Sequence, residues 1–325
     1  MISSVSRKSK LVNSLVYIAF LVYFSCQNNY ANRNQNPTGI DSDSVAFFPE
    51  SPAVRDSSLL FVLKRDVKVK EYFAFMDSLV LLCDSLYDYP LTEHILVHAN
   101  HFILDTLVSF DYYTQMSKGV FVEDQKDLVV LHRGDTLIVP DSTQAVGIEQ
   151  YLKRLTIDVN IPEFKLRILN ADTVEYTFDV RVGKNQKKYL KNAGRRVSLR
   201  TPVGSGEIVR IAKDPWYINP VDGHRYSSTS RDDGRRTKLP QIPFLEPTIA
   251  GERKGSLIHP TTNPNTLGRA SSNGCVGTRE GEAWIVYYHA PLGTKVVFRY
   301  DLEVITAPGD TLYLNDIYGY DKISN

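Results

Sequence analysis

From Leu155 onward the chain is written in short runs of β-branched and aromatic residues cut by turns: Thr156–Val159, Lys165–Leu169, Tyr176–Val182 and Glu207–Ile211. Runs of this length, evenly spaced and with no long helix between them, predict a closed or sandwiched β domain. Phe164 and Leu166 beside Lys165 and Arg167 show the alternation of a half-buried strand. The N-terminal half reads differently. Tyr72, Met76, Leu79, Cys83 and Leu86 recur at helical spacing across Glu71–Tyr87. A second helical region is expected from Pro90 to Phe110, capped by Thr92. The fold class is therefore α+β. A small, largely helical N-terminal domain spans residues 55–150, a mainly β domain spans residues 151–304, and a C-terminal extension spans residues 305–325. The tail from Asp301 on is read as an extra strand pair against the β domain.

The first residues do not belong to that plan. Arg7, Lys8 and Lys10 precede an apolar run from Leu11 to Phe24, shorter than the ~20 residues that span a bilayer. A basic start with a short apolar centre reads as an export signal over residues 1–25. Tyr23-Phe24-Ser25-Cys26 resembles a lipoprotein cleavage box, which makes Cys26 the lipidated residue of the mature chain. An ordinary signal peptide with an incidental cysteine is the alternative. Residues 26–54, rich in Asn, Ser and Asp, form a flexible tether. The expected location is the cell envelope or periplasm, with the protein held to the membrane through its lipid anchor. With a net charge of +1, no general attraction to nucleic acid is implied. The cysteines are Cys26, Cys83 and Cys275, too few for a disulfide framework. Cys83 falls on the apolar face of a helix as a core thiol. Cys275 is left as the reactive one.

Cys275 lies in the stretch Ile258–Thr278, dense in Gly, Pro, Ser and Asn, which neither helix nor strand can run through. His259 lies in the same stretch. A thiolate nucleophile requires such a pair: the imidazole takes the thiol proton, and backbone N–H groups around the sulfur hold the oxyanion. Gly274 and Cys275 supply those N–H groups, and Gly274 lets another chain approach closely. Ser272 offers a hydroxyl to the loop. A free thiol titrates near ~8.5, so His259 is expected to pull Cys275 down.

Ile258-His259, Leu267-Gly268 and Ser272-Asn273-Gly274-Cys275-Val276 together resemble the active-site signature of the L,D-transpeptidases (YkuD-type catalytic domain). Further matches are Ile157–Pro162 through Leu166, Phe178–Gly183, Thr201-Pro202-Val203-Gly204 and Pro291–Val297, so the resemblance covers roughly residues 150–304. It implies that Cys275 attacks a carbonyl of a peptidoglycan stem peptide, with His259 as general base. The terminal D-alanine leaves, and an amine on a neighbouring stem closes a 3→3 cross-link. It also implies that Pro260 orients His259 through its backbone carbonyl, and that no metal or organic cofactor takes part. The chain departs from the family at Asn273, where many members carry His, and at Gly277, where they carry Arg or Asn. Arg279, two residues on, is the expected substitute.

The implied partner is peptidoglycan. The long segment from Gly204 to His259 is read as a lid, with Tyr217 and Tyr226, together with Arg279, as substrate-binding residues. Lys and Arg crowd the loop from Gly183 to Arg200 without an acid; a solvated face is one reading, binding of an acidic wall polymer the other. Ala283, Trp284 and Tyr287 of the helix expected over Glu280–Tyr288 are placed beneath the active-site loop. His94, His98 and His101 share one helical face, but no acid completes a zinc pattern, so no metal site is assigned. Gly134–Pro140 faintly resembles a LysM repeat. Two other functions fit the same residues: a hydrolase of stem peptides in which water replaces the amine, and a wall-binding lipoprotein whose catalytic site has decayed at Gly277.

Overall fold

The computed structural model describes residues 57–84, 86–306 and 309–320. The export signal, Cys26 and the tether lie outside them. All described residues belong to one compact unit, Ala46–Asn325, and residues of both the helical and the β segment enter the same apolar core.

Helix α1 (Val69–Asp84) forms where the spacing predicts, burying Tyr72, Met76, Leu79 and Cys83; each such side chain contributes about 1.5–3 kcal/mol on leaving water. The second helical region is split into α2 (Glu93–Ala99), N-capped by Thr92 Oγ1, and α3 (His101–Ser109). The break is at Asn100. Its side-chain amide donates to Leu96 O and Ile138 O and accepts from Ile138 N–H, each at 2.8 Å. Satisfying a strand's backbone in this way outweighs continuing the helix. Helix α4 (Tyr112–Ser117) follows, and α5 (Ser142–Arg154) opens with a capping box between Asp141 and Gln144. The Gly134–Pro140 stretch places Thr136–Val139 in an antiparallel pair with Leu59–Val62.

Eight strands make the main sheet: β1 (Leu155–Asn160), β2 (Lys165–Asn170), β3 (Thr173–Asp179), β4 (Gly204–Ala212), β5 (Phe244–Pro247), β6 (Ile258–Pro260), β7 (Val276–Thr278) and β8 (Lys295–Arg299). Their order is β7-β6-β5-β4-β8-β1-β2-β3, with β7–β6 and β8–β1 parallel and the other pairs antiparallel. Phe164 turns out to precede its strand, in a turn at φ 57°. Just past β3, Arg181 bridges to Gly277 of β7, joining the chain that leaves one edge of the sheet to the opposite edge. The result is the barrel-like β architecture the strand spacing predicts.

Helix α6 (Glu280–His289) follows β7. Trp284 stacks on Phe73 at 5.9 Å, and Tyr287 meets Phe73 edge-on at 6.0 Å. These rings thus bind the β segment to α1. Tyr72 and Tyr288 share a hydrogen bond of 2.6 Å, and Tyr288 donates to Glu93 at 2.7 Å. Near the end of the described chain, Glu303–Ile305 and Thr311–Tyr313 pair with each other as an exposed hairpin. Among the described residues, no helix is long and apolar enough to cross a membrane.

Candidate functional site

Three strands set the site. Arg181 and Gly277 exchange both backbone hydrogen bonds, at 2.9 and 3.0 Å, while Gly277 is in parallel register with His259. Paired residues project to the same face of a sheet, and so do alternate residues along one strand. Arg181, Gly277 and His259 therefore form a row across the sheet; Cys275 directly precedes β7, where Val276 N–H donates to Leu257 O at 2.8 Å, and the charge of Arg181 acts on both Cys275 and His259. Neighbouring strands lie about 4.8 Å apart, so sulfur and imidazole share one patch.

His259 is fixed through its own backbone neighbour. Its Nδ1 lies 2.8 Å from Pro260 O, so the N–H of that nitrogen donates and Nε2 is the basic position. Phe244 of β5 packs on the ring at 4.9 Å, and Tyr217 packs on Phe244 at 5.1 Å while donating to Pro240 O at 3.0 Å. Burial, and then the charge of Arg181, bring His259 down to about 4, against a smaller upward pull from the Pro260 bond. The imidazole is neutral at pH 7.

The loop before Cys275 is built by glycine and hydroxyls. Ser272 Oγ donates to Cys275 O at 2.6 Å and accepts from Gly274 N–H at 3.2 Å. Gly274 has φ 113°, and a Cβ there would meet nothing closer than 3.8 Å. Its glycine is thus demanded by backbone conformation, not by close approach of another chain. Behind the loop, Thr201 Oγ1 donates to Gly274 O at 3.2 Å and accepts from Gly183 N–H at 2.9 Å. Tyr318 completes the support: its hydroxyl donates to Gly183 O at 2.7 Å and accepts from Thr201 N–H at 3.0 Å. Burial pushes the Cys275 thiol up from its ordinary value, while a Leu257 backbone hydrogen bond and the charge of Arg181 pull it down. The depression expected from His259 is not found; burial of the sulfur outweighs the two favourable contacts.

Other residues singled out in the sequence lie at differing distances from this patch. Tyr217 reaches it through Phe244. Tyr226 pairs with Tyr217 in register, is 44% exposed and packs on His224. Asn273 is exposed beside the sulfur. Arg279 is exposed at the start of α6, where its backbone N–H donates to Glu282 at 2.9 Å. The side chain over Gly277 belongs instead to Arg181. No short-range pattern marks Arg181, Thr201, Phe244 or Tyr318 as neighbours of the cysteine; the bare Gly277 was the one available signal. His94 and His98 meet Tyr287 O and Tyr288 O at 3.1 and 2.9 Å, satisfying carbonyls in the last turn of α6. His101 is exposed beyond the Asn100 break. Among the described residues, no His, Cys, Asp or Glu cluster could hold a metal ion.

Residues 154–298 match the YkuD family, described as the L,D-transpeptidase catalytic domain. No curated protein matches the chain. An L,D-transpeptidase from Mycobacterium smegmatis is 14% identical, with 45% of this chain and 58% of that one covered and a TM-score of 0.32. The L,D-transpeptidase of Xylanimonas cellulosilytica, residues 123–326, is 13% identical, with 63% and 92% covered and a TM-score of 0.33. L,D-transpeptidase 3 from Mycobacterium tuberculosis, solved with a faropenem-derived adduct, is 17% identical, with 45% and 60% covered and a TM-score of 0.30. The chain thus spans less than two thirds of the length of both mycobacterial proteins.

Proposed function

We propose, from the match of residues 154–298 to the YkuD family of L,D-transpeptidase catalytic domains, that the chain is a cysteine acyltransferase acting on peptidoglycan stem peptides. The observation that supports this reading is the register of β6 on β7, which sets His259 beside the strand that follows Cys275, with the charge of Arg181 acting on both and His259 held by Pro260 O. His259 Nε2 takes the thiol proton as the sulfur attacks the carbonyl of the third stem residue. The tetrahedral oxyanion is held by the backbone N–H of Cys275, since that of Gly274 is engaged by Ser272. When the carbon–nitrogen bond breaks, the leaving D-alanine amine takes the proton from His259 and a thioester remains. An incoming stem amine attacks that thioester and gives its proton to His259. The new amide leaves, and the thiolate recovers the proton. The first step starts from a neutral thiol and a neutral imidazole, so proton transfer accompanies attack rather than preceding it.

The chemistry uses side chains and backbone alone. Export and anchoring through Cys26 would bring the enzyme to its polymer. Tyr217 and Tyr226 lie in the segment between β4 and β5, which would cover the peptide. Incubation of the purified protein with a tetrapeptide stem, followed by mass spectrometry, tests the reading. Cross-linked dimer and released D-alanine are expected. Free tripeptide without dimer would make the protein a hydrolase. No product, and no covalent adduct with a carbapenem, would leave a wall-binding protein.

A further inference from the structure

One buried polar atom without a hydrogen-bond partner lies inside the candidate site: Arg181 Nε. The Arg181 side chain runs flat over Gly277. A Cβ at position 277 would stand 2.6 Å from Arg181 Nε, 2.8 Å from its Cγ and 3.1 Å from its Cδ. The missing side chain of Gly277 is what gives the guanidinium its place between His259 and Cys275.

No carboxylate answers this charge. Among the described residues, Arg181 enters no ion pair, although arginines elsewhere are paired with Glu163, Glu246, Glu280 and Asp158. Cys275 would support the Arg181 cation against its burial only when ionised, and burial holds it as a thiol. Glu246, which acts on the same sulfur, is already clamped by Arg210 at 2.6 Å and by Arg253 at 2.9 and 2.7 Å. Arg181 is half-buried, with its Nε shielded from water and without a partner, and a charge so placed is costly. A guanidinium also offers a planar fork of donors that matches a carboxylate.

We propose that Arg181 is a carboxylate-binding subsite of the Cys275 centre, receiving a free carboxylate of the peptide whose carbonyl the sulfur attacks. The subsite rests on the reading of Cys275 as the nucleophile. It explains how the chain does without a polar side chain at position 277: the polar group arrives from the strand facing Gly277. A carboxylate bound there is oriented by two parallel hydrogen bonds, so the adjacent scissile carbonyl is presented to the sulfur in one pose.

Alkylation of Cys275 in the full chain by two small probes tests this without any wall substrate. Iodoacetate carries a carboxylate and iodoacetamide does not; each loses iodide to form a thioether, and peptide mapping identifies the cysteine modified. The iodoacetate-to-iodoacetamide rate ratio is expected to fall about tenfold from wild type to Arg181→Gln, the scale of one charge-assisted contact. Arg181→Lys should give an intermediate ratio. In wild type, acetate should slow iodoacetamide saturably, and acetamide should not; this arm needs no variant to fold. An unchanged ratio together with no acetate protection would overturn the proposal. So would equal slowing of both probes, which marks a cation acting only on the thiolate. Failure of the stem-peptide assay with the ratio effect intact would instead count against the transpeptidase reading, so the two failures are distinct.

Discussion

Arg231 and Glu280 meet at 2.6 Å with their side chains 0% and 2% exposed. The pair joins the segment between β4 and β5 to the first turn of α6. Glu280 also accepts from Tyr112 N–H at 3.1 Å and Gln125 Nε2 at 2.8 Å, and Arg231 Nε donates to Thr237 at 2.8 Å. One carboxylate thus ties the helical segment, α6 and the segment between β4 and β5 together.

Removing one partner of such a pair leaves the other charge buried alone. Arg231→Ala is expected to lower stability by roughly 3–5 kcal/mol. The double substitution Arg231→Met with Glu280→Met should cost less than the single one. Urea midpoints of the three proteins check both statements; a single variant that melts like wild type would show the pair to be idle.

The pH dependence of turnover follows from His259. Its proton is lost at about 4, far below the ordinary ~6.5 of histidine. The base is therefore available through the whole neutral range. The acid limb of kcat/KM on a stem peptide should centre near pH 4, with no inflection near 6.5. The Cys275 thiol lies above its ordinary value, so direct alkylation of the sulfur should still be climbing with pH beyond the point where a free thiol levels off. An acid limb at 6.5 would show the ring to be solvated.

Acid should unfold the protein through α2. Burial is the main reason that His94 is lowered to about 3 and His98 to about 4. Unfolded histidines take protons near ~6.5, whereas these two resist until pH 3–4, so protons favour the unfolded chain across that interval. Melting temperature should fall as pH drops from 6.5 towards 4. In His94→Gln/His98→Gln the slope should be shallower, even if the midpoint at pH 7 is lower. Calorimetry across this range decides it.

Two glycines near Cys275 should respond differently to alanine. A Cβ on Gly183 would stand 2.0 Å from Leu199 O and 2.6 Å from Thr201 N, so backbone must move. A Cβ on Gly274 would make only ordinary contacts, the nearest at 3.8 Å, and only the φ of 113° resists it; the strain there is on the order of 1–2 kcal/mol. Gly183→Ala should therefore be the more destabilising by urea titration. Gly274→Ala should remain folded and show its effect in turnover.

Much of this was legible in local pattern. The spacing of Tyr72, Met76, Leu79 and Cys83 marks α1, and the short runs after Leu155 mark β1, β2 and much of β4. The Ser272–Cys275 block with His259 marks the patch that β6 and β7 bring together. What escaped depends on partners far away in the chain. Asn100 splits a helix because of Ile138. Arg181 takes the place over Gly277 because the sheet closes on itself. Trp284 faces α1 because Phe73 is there to receive it. The thiol rises because of burial, a property of the assembled barrel that the loop composition does not display.

Tyr318 gives the chain an order of completion. A polypeptide that emerges from its N-terminus presents Cys275 well before the hydroxyl that props Thr201 and Gly183 from behind. During that interval the sulfur exists but its cradle is unfinished. The loop before Cys275 thus reaches its final support only when Tyr318, far along the chain, has packed behind Thr201 and Gly183.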